Sequence, residues 1–498
     1  MRLIKLFPLL LVTLFLNACG GGGGGASGGA ASYTVPSCTD NGSNRNAEYN
    51  FMGYGNTNTE GYGLSDICAS VAYDRGATGD GIKIAILDTG ISLNGSGSVN
   101  ITDLHAQFAS FTSGSDTVAN DNVPKDGHGH GTQVAGIIAG EDNGVGYHGV
   151  AYDATLYAFK VLDDNGSSVG NSVATGIDRA RAAGVDIMNL SIQNTAVTGT
   201  DCDSASSCEA HLGSTLYTAL EAAGAAGKIM VWAAGNYGYS SPATISGAAV
   251  YDDDFKETTV IVVATAADGK IATEDDWGSG SASNLCGVAA AICIAAPGTD
   301  LYTAKLNDNT EAAVVSGTSF AAPMVSGGLA IIKEEFSSLT NAQVVDRLFA
   351  TALDTDEYSQ SSIYGHGMMN LSAATAAVAE LQTIDGGNLL DDPSTSYYDL
   401  ANNSFTSSAA FSNALNNALE GQIMEVYDSF DRANFKTSVS SFFTSGSYTS
   451  QNTIENHMLR LEPKTTKKIK NKNLYGSFTV ETDGNYLESS MFQSAGDF

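Results

Sequence analysis

Short apolar runs rich in β-branched residues alternate along the chain with segments of helical periodicity. The apolar runs cover residues 82–87, 154–162, 185–192, 228–233 and 260–264, and the helical segments cover 132–139, 173–183, 215–226 and 319–336. Strands that are apolar on both faces are typical of parallel sheets covered by helices on each side. The pattern therefore predicts an α/β fold in which a parallel sheet lies between two helical layers.

Two polar residues lie just beyond the ends of predicted strands. Asp88 follows the run 82–87 directly, and Asn236 follows the run 228–233 after a short gap. In open parallel sheets, functional sites form outside the carboxyl ends of the strands. We therefore expect Asp88 and Asn236 to lie at a functional site.

The charge of the chain excludes one class of partner. The 498 residues contain 23 Lys and Arg against 54 Asp and Glu, a formal net charge of -31. A surface this acidic repels phosphate, so no nucleic-acid partner is expected. The excess of acidic residues favours solubility or a saline habitat.

The N-terminus carries the features of an export signal. Arg2 and Lys5 precede an apolar run over 6–16, which is too short to span a bilayer as a helix. The run ends in Asn17-Ala18-Cys19 and a glycine run, which resembles a bacterial lipoprotein signal with Cys19 as the lipidated residue. An ordinary signal peptide over 1–18 with a chance cysteine is the alternative. Residues 19–64 then form a Gly-, Asn- and Ser-rich tether and leader.

The remaining cysteines suggest disulfide bonds. Without Cys19 the chain has six, an even number that favours disulfides in an exported protein. Six cysteines can pair in many ways, and proximity in sequence favours Cys38–Cys68, Cys202–Cys208 and Cys286–Cys293. A zinc site is the alternative, but no CxxC pair and no nearby histidine supports it.

Three motifs supply an aspartate, a histidine and a serine in that chain order. Residues 85–90 read AILDTG, residues 129–136 read GHGTQVAG and residues 317–323 read GTSFAAP. This is the chain order of the subtilisin-type triad, and it differs from the chymotrypsin and α/β-hydrolase orders.

The three residue types meet the needs of acyl transfer. A serine hydroxyl becomes a good nucleophile when a histidine of near-neutral pKa accepts its proton and later gives it to the leaving group. A buried carboxylate fixes the histidine tautomer. Ser319 begins a predicted helix, where unpaired N–H groups can face an oxyanion, and Asn236 adds a side-chain N–H.

These motifs, together with Ala233-Ala234-Gly235-Asn236, closely resemble the subtilisin-like serine proteases, or subtilases, over about residues 65–379. The resemblance implies a subtilisin-like three-layer catalytic domain over 65–380. It implies that Asp88 orients His130, that His130 is the general base and acid, that Ser319 is the nucleophile and that Asn236 is an oxyanion donor.

A second histidine, His128, lies two residues before His130. The family histidine is followed directly by Gly-Thr, so the resemblance places His128 outside the triad, exposed beside the cleft. A His-x-His metal pair is the alternative, but no third or fourth ligand is evident.

The resemblance also implies a substrate cleft. Its edge strand, wall and pocket floor would be formed by Gly166, Ser167 and Ser168, by Ser191 and Ile192, and by Ala233, Ala234 and Gly235, respectively. Gln193 departs from the glycine of many relatives and is expected to narrow or polarise the cleft. No cofactor is required and no metal site is assigned. Subtilases often bind calcium as a structural ion, but no acidic loop here shows a defined ligand spacing.

The C-terminal region resembles a different part of the family. Residues 381–406 are predicted as a linker and 407–498 as an accessory region. Within the latter, residues 414–436 resemble the linker that follows the protease domain in autotransporter-type subtilases. A helical stripe is expected over 407–430, formed by Phe411, Leu415, Leu419, Ile423 and Tyr427. A small domain that packs this stripe on the core is the alternative.

The expected protein is an exported serine endopeptidase that acts on polypeptides through an acyl-enzyme. By resemblance to lipoproteins, the glycine after Cys19 favours lipid anchoring in the outer membrane or at the cell surface of a Gram-negative bacterium. A catalytically inactive peptide-binding surface protein and a serine esterase are the alternatives. Residues 317–321 lack the second glycine of GxSxG, which counts against the esterase.

Overall fold

A computed structural model describes residues 62–378 except 105–106, 112–113, 144–146, 195–201 and 279, together with short segments between 381 and 494. Its centre is a parallel sheet of six strands: β1 Lys83–Asp88, β2 Thr155–Lys160, β3 Ile187–Leu190, β4 Ile229–Ala233, β5 Thr259–Thr265 and β6 Cys293–Pro297. The strand order is β2-β1-β3-β4-β5-β6. All five predicted strands are present, and β6 is an additional strand that the apolar pattern did not indicate.

Five helices of ten or more residues are described around the sheet. They are α1 His130–Ala139, α2 Ser172–Ala182, α3 Ser214–Ala225, α4 Thr318–Glu335 and α5 Asn341–Ala350. Shorter helices cover Tyr62–Asp66, Ala69–Asp74, Ala205–Leu212, Thr244–Gly247, Asp253–Lys256, Glu274–Trp277, Ser361–Tyr364 and Leu371–Ala374. Short 3-10 helices cover Thr102–Leu104, Ala248–Tyr251, Gly287–Ile292 and Asp356–Ser359. Helices α1 to α4 fall where the periodicity predicts them.

Alternate residues of each strand face opposite helical layers. Ile84 and Ile86 of β1 belong to the apolar cluster that includes residues of α1 and α4. Leu87 faces the other layer, because a Cβ on Gly176 of α2 would lie 3.4 Å from its side chain. Both faces of β1 are buried. The three-layer α/β arrangement is thus confirmed.

Helix α4 is deeply buried. Fourteen of its 18 residues are buried, and it packs against α1 and strands β3 to β6. Pro323 lies inside the helix and cannot donate to the carbonyl oxygen of Ser319. That carbonyl oxygen instead accepts a hydrogen bond from the Ser191 hydroxyl at 2.7 Å. The Ser319 carbonyl oxygen is therefore satisfied despite the proline.

The other strands lie outside the central sheet. A hairpin of β7 Leu301–Lys305 and β8 Asp308–Val315 precedes α4, and the C-terminal segments form further strands. The later strands are β9 Leu381–Ile384, β10 Tyr397–Asp399, β11 Phe405–Ser408, β12 Ile423–Asp428, β13 Asn434–Ser438, β14 Phe443–Gly446, β15 Thr465–Asn471, β16 Leu474–Val480 and β17 Gln493–Ser494. They pair as β10-β9-β12-β13, β11-β14 and β15-β16-β17. The predicted linker, residues 381–406, thus contains β9, β10 and the first two residues of β11.

The helix expected over 407–430 is wrong where the structure describes this stretch. Ile423 and Tyr427 lie in β12, while Phe411, Leu415 and Leu419 lie outside the described residues. Residues four apart share one face of a helix, but they also share one face of a strand. The spacing that suggested a helix therefore fits the observed strand equally well.

One buried arginine joins the turn between β12 and β13 to helix α5. Arg347 of α5 has no exposed side-chain surface, and its Nη1 donates to Asp428 and Asp431 at 2.9 Å each. Its Nε donates to the carbonyl oxygen of Ala374 at 2.7 Å. The guanidinium carbon lies 4.1 Å from the ring centre of Phe336. The turn between β12 and β13 is held to α5 by these contacts.

The structure agrees with two of the predicted cysteine pairs. The sulfur atoms of Cys202 and Cys208 are 2.11 Å apart, and those of Cys286 and Cys293 are 1.99 Å apart. Cys38, the predicted partner of Cys68, lies outside the described residues, as does Cys19. Within the part of the chain that the structure describes, no helix has the length and apolar character needed to cross a membrane.

Candidate active site

The carboxyl end of β1 brings an aspartate to the first residue of α1. Asp88 is the last residue of β1 and is fully buried. Its Oδ1 accepts the Thr89 backbone N–H at 2.7 Å and lies 2.8 Å from Nδ1 of His130. An ionised carboxylate can only accept, so Nδ1 of His130 carries the hydrogen. In the neutral ring, Nε2 is therefore left to accept a proton.

Opposing influences set the pKa of His130. Burial lowers it, but the charge of Asp88, their hydrogen bond and the charge of Asp126 together outweigh burial. The net result is a pKa above the ordinary histidine value. A histidine side chain that is 19% exposed and bonded to a carboxylate is suited to accept and release protons.

A second buried carboxylate, Asp126, shapes the loop that precedes His130. Its Oδ1 accepts from the Thr89 hydroxyl and from the N–H groups of His128 and Gly129 at 2.7–2.9 Å. Its Oδ2 accepts from the N–H and the hydroxyl of Thr132. Asp126 thus binds both the residues just before α1 and a residue in its first turn. This role was not predicted from the sequence, in which Asp126 lies three residues before the histidine motif 129–136.

His128 lies apart from the hydrogen bonds that hold His130. It is exposed, and its ring centre is 6.2 Å from that of His130. Its Nε2 lies 3.6 Å from the position that a Cβ on Gly166 would take. Over the described residues, no group of three or more His, Cys, Asp or Glu is arranged to hold a metal ion.

Ser319 is the second residue of α4 and is half-buried. Its hydroxyl lies 3.5 Å from the carbonyl oxygen of Ser191, the residue that follows β3. Among the described residues, neither His130 nor any other group accepts a shorter hydrogen bond from it, and its backbone N–H has no partner. The ring of the next residue, Phe320, packs against His130 with ring centres 5.2 Å apart. The serine and the histidine are therefore neighbours across this aromatic contact.

Asn236 follows β4 and reaches the N-terminus of α4. Its Oδ1 accepts the Thr318 backbone N–H at 2.9 Å and the Thr318 hydroxyl at 2.7 Å. A backbone N–H can only donate, so the orientation of the amide is fixed. Its Nδ2 has no hydrogen-bond partner among the described residues. It lies 3.4 Å from the place of a Cβ on Gly317, a distance of ordinary van der Waals contact.

The predicted substrate-binding residues fall into two environments. Gly166, Ser167 and Ser168 are exposed in a turn that the Asp163 carboxylate stabilises through the Asn165 and Ser167 N–H groups. The wall and floor residues are buried: Ser191, Ile192, Ala233, Ala234 and Gly235. The Gly235 N–H donates to the Thr318 hydroxyl at 3.1 Å. The structure thus brings the floor and the wall beside Ser319.

Fold and site together define a class: an α/β protein that gathers an aspartate, a histidine and a serine at the carboxyl edge of its parallel sheet. The profile of the subtilase family matches residues 79–367 of the chain. The chain therefore belongs to the subtilase family, and this membership supports a serine-type endopeptidase that acts on polypeptides.

Individual relatives agree with this assignment. Subtilisin Savinase from Lederbergia lenta is 33% identical over 314 residues, which cover 63% of this chain and 98% of the relative. An alkaline protease from Alkalihalobacillus alcalophilus is 33% identical over 314 residues, which cover 63% of this chain and 69% of the relative. Alkaline elastase YaB from Bacillus sp. (strain YaB) is 32% identical over 318 residues, or 63% and 70%.

Proposed function

We propose that this chain is an exported serine endopeptidase in which Asp88, His130 and Ser319 act as a catalytic triad. The observation that carries the proposal is the 2.8 Å hydrogen bond between Asp88 Oδ1 and His130 Nδ1. This bond leaves Nε2 of His130 as the acceptor beside the helix that presents Ser319. A buried carboxylate bonded to an imidazole that is 19% exposed is the arrangement that a histidine general base requires.

The chemistry begins with a rotation of the nucleophile. The Ser319 hydroxyl lies near the Ser191 carbonyl oxygen in this structure, so it must turn toward Nε2 of His130 before reaction. His130 then takes the hydroxyl proton as Oγ attacks the peptide carbonyl carbon. The same proton passes to the leaving amine, which leaves an acyl-enzyme on Ser319. Water, activated by His130 in turn, hydrolyses the acyl-enzyme.

The charge that develops on the carbonyl oxygen meets two donors. One is the Ser319 N–H, and the other is Nδ2 of Asn236, and neither has a partner among the described residues. Thr318 holds the Asn236 amide in place before substrate arrives, so little reorganisation is needed during the reaction. The resulting arrangement favours the tetrahedral intermediate over the bound substrate.

The remaining proposals concern the substrate and the location of the enzyme. The exposed turn at Gly166–Ser168 and the wall at Ser191 and Ile192 would bind an extended peptide, with Ala233, Ala234 and Gly235 beneath its main side chain. The signal at the N-terminus supports export and lipid attachment at Cys19. Incorporation of labelled palmitate into the wild type but not into Cys19→Ala would test the anchor.

Labelling of the signal-free protein with a fluorophosphonate tests the triad. The probe reacts only with an activated serine, so the wild type is expected to be labelled, and Ser319→Ala and His130→Ala are not. Two matched controls are available in the same regions. Ser316→Ala removes an exposed serine that accepts the Asp300 N–H, and His128→Ala removes the neighbouring histidine. Both controls should be labelled like the wild type.

The outcomes separate the function classes. Labelling that persists in Ser319→Ala would refute the assignment of the nucleophile. A folded wild type that is never labelled and hydrolyses nothing would instead indicate an inactive peptide-binding protein. If the labelled enzyme hydrolyses small esters but leaves casein intact, the esterase alternative holds.

A further inference from the structure

Gln193 lies between the wall of the cleft and the oxyanion donor. It follows Ser191 and Ile192 and is half-buried. Its side-chain Oε1 accepts the backbone N–H of Asn236 at 2.8 Å. Because that N–H can only donate, the oxygen of the Gln193 amide must face it. A residue of the wall is thereby joined to the main chain of the donor loop.

This contact completes the anchoring of Asn236. The Asn236 carbonyl oxygen accepts the Ala282 N–H at 3.2 Å, and Oδ1 is held by Thr318. With Gln193 on the backbone N–H, three of the four polar groups of Asn236 have partners inside the fold. Only Nδ2, the group that faces the developing oxyanion, is left available. A glycine at 193 would leave the Asn236 N–H without this acceptor.

The Gln193 amide also lies against the floor of the cleft. A Cβ built on Gly235 would come within 3.2 Å of Gln193 Oε1, and Gly235 adopts φ +113°, a conformation that side chains rarely take. The backbone therefore passes close beneath the glutamine. Together with the hydrogen bond to the Asn236 N–H, this close approach places the Gln193 amide against the 235–236 backbone.

We propose that Gln193 is a positioning residue for the oxyanion donor: it holds the backbone of Asn236 so that Nδ2 keeps its direction. The inference rests on the proposed function, because it concerns the same oxyanion site. Its effect is exerted on the transition state, where Nδ2 bonds the oxyanion, more than on the bound ground state. Loss of the contact should therefore lower kcat more than it raises KM.

A double-mutant cycle tests this role. Gln193→Met keeps the length of the side chain and removes the acceptor. We expect kcat on a peptide amide to fall about threefold to tenfold, the effect of one neutral hydrogen bond, with a smaller change in KM. In an Asn236→Ala background the same substitution should change kcat by less than about twofold, because the group that it positions is gone. Active-site titration gives kcat per competent site, so misfolded protein does not enter the comparison.

The controls separate this inference from the proposed function. Gln360→Met replaces an exposed glutamine outside the site and should leave both constants unchanged. If Gln193→Met lowered kcat equally in the wild-type and Asn236→Ala backgrounds, Gln193 would act through the shape of the pocket. If kcat of the single variant were unchanged, Gln193 would have no role in the reaction. Either result overturns the inference. If the wild type hydrolysed the peptide amide no faster than Ser319→Ala, the proposed function would be refuted. That comparison does not involve the Gln193 variants, so the two failures can be told apart.

Discussion

The buried arginine between α5 and the β12–β13 turn offers the sharpest test of how the chain is held together. In Arg347→Met the charged group is removed while an apolar side chain of similar length still reaches the Phe336 ring. Asp428 and Asp431 are 1% and 7% exposed, and both then lose their cation. The two carboxylates remain in a place from which water is largely excluded.

The size of the effect follows from that burial. Removing one partner of a buried ion pair costs about 3–5 kcal/mol, mainly because the remaining charge is uncompensated. The hydrogen bond to the Ala374 carbonyl oxygen is lost as well, which adds about 1 kcal/mol. A total loss of about 4–6 kcal/mol would be a large share of the stability of an ordinary domain.

Urea denaturation measures this loss directly. The Ser319→Ala background prevents self-digestion during unfolding. Arg181→Met is the matched control, because Arg181 pairs with Asp178 on the surface, where the two side chains are 37% and 51% exposed. That exposed pair should contribute about 0–1 kcal/mol. If Arg347→Met lowered the free energy of unfolding by less than about 1 kcal/mol, the argument that Arg347, Asp428 and Asp431 hold the β12–β13 turn to α5 would be refuted. Asp428→Asn combined with Asp431→Asn should restore part of the loss.

The other predictions concern acid–base groups and the oxyanion. The log of kcat/KM should rise with pH as His130 loses its proton, with a midpoint above about 6.5, because Asp88 and Asp126 raise the histidine pKa despite its burial. Asp88→Asn should move this midpoint down and lower kcat roughly 10⁴-fold in the pH–rate profile. Asn236→Ala should lower kcat roughly 100- to 1,000-fold, as measured by steady-state hydrolysis. Burial raises the pKa of Asp66 to about 7 in the folded protein. As the pH rises from about 4 to about 7, Asp66 ionises in the unfolded chain before it ionises in the folded one, so the free energy of unfolding falls. In Asp66→Asn that fall, roughly 3–4 kcal/mol, should be absent from urea unfolding at pH 4 and pH 8.

The central sheet was predictable because it is buried on both faces. Strands β1 to β5 are short, mostly apolar runs for this reason, and they contrast with the helices of mixed polarity between them. Strand β6 is different, since its five residues, Cys293–Pro297, include two alanines and a proline. Such a stretch has little β-propensity of its own. The stretch 293–297 is a strand because it pairs with β5 along its whole length. The sequence of these five residues alone does not indicate that β5 lies beside them.

In the site, as in the sheet, local sequence predicted some features and not others. Asp88, His130, Ser319 and Asn236 stand inside short motifs, so their candidacy could be read locally. The partners that orient them could not be found in this way. Gln193, for example, lies 43 residues before Asn236. Outside the site, Arg347 likewise lies 81 residues before its partner Asp428. These contacts depend on how distant segments meet after folding, and no periodicity or motif in either segment indicates the other.

The deep burial of α4 has a consequence for how this enzyme ages. Local opening is cheapest at exposed turns and approaches the free energy of global unfolding in core elements. The turn at residues 164–170 is exposed, whereas the helix that carries Ser319 can open only with the sheet around it. A protease in concentrated solution is also a substrate for its neighbours, which cut transiently opened backbone. Stored enzyme should therefore accumulate nicks in its surface turns while the nucleophile still works, and intact chains would disappear before active sites do.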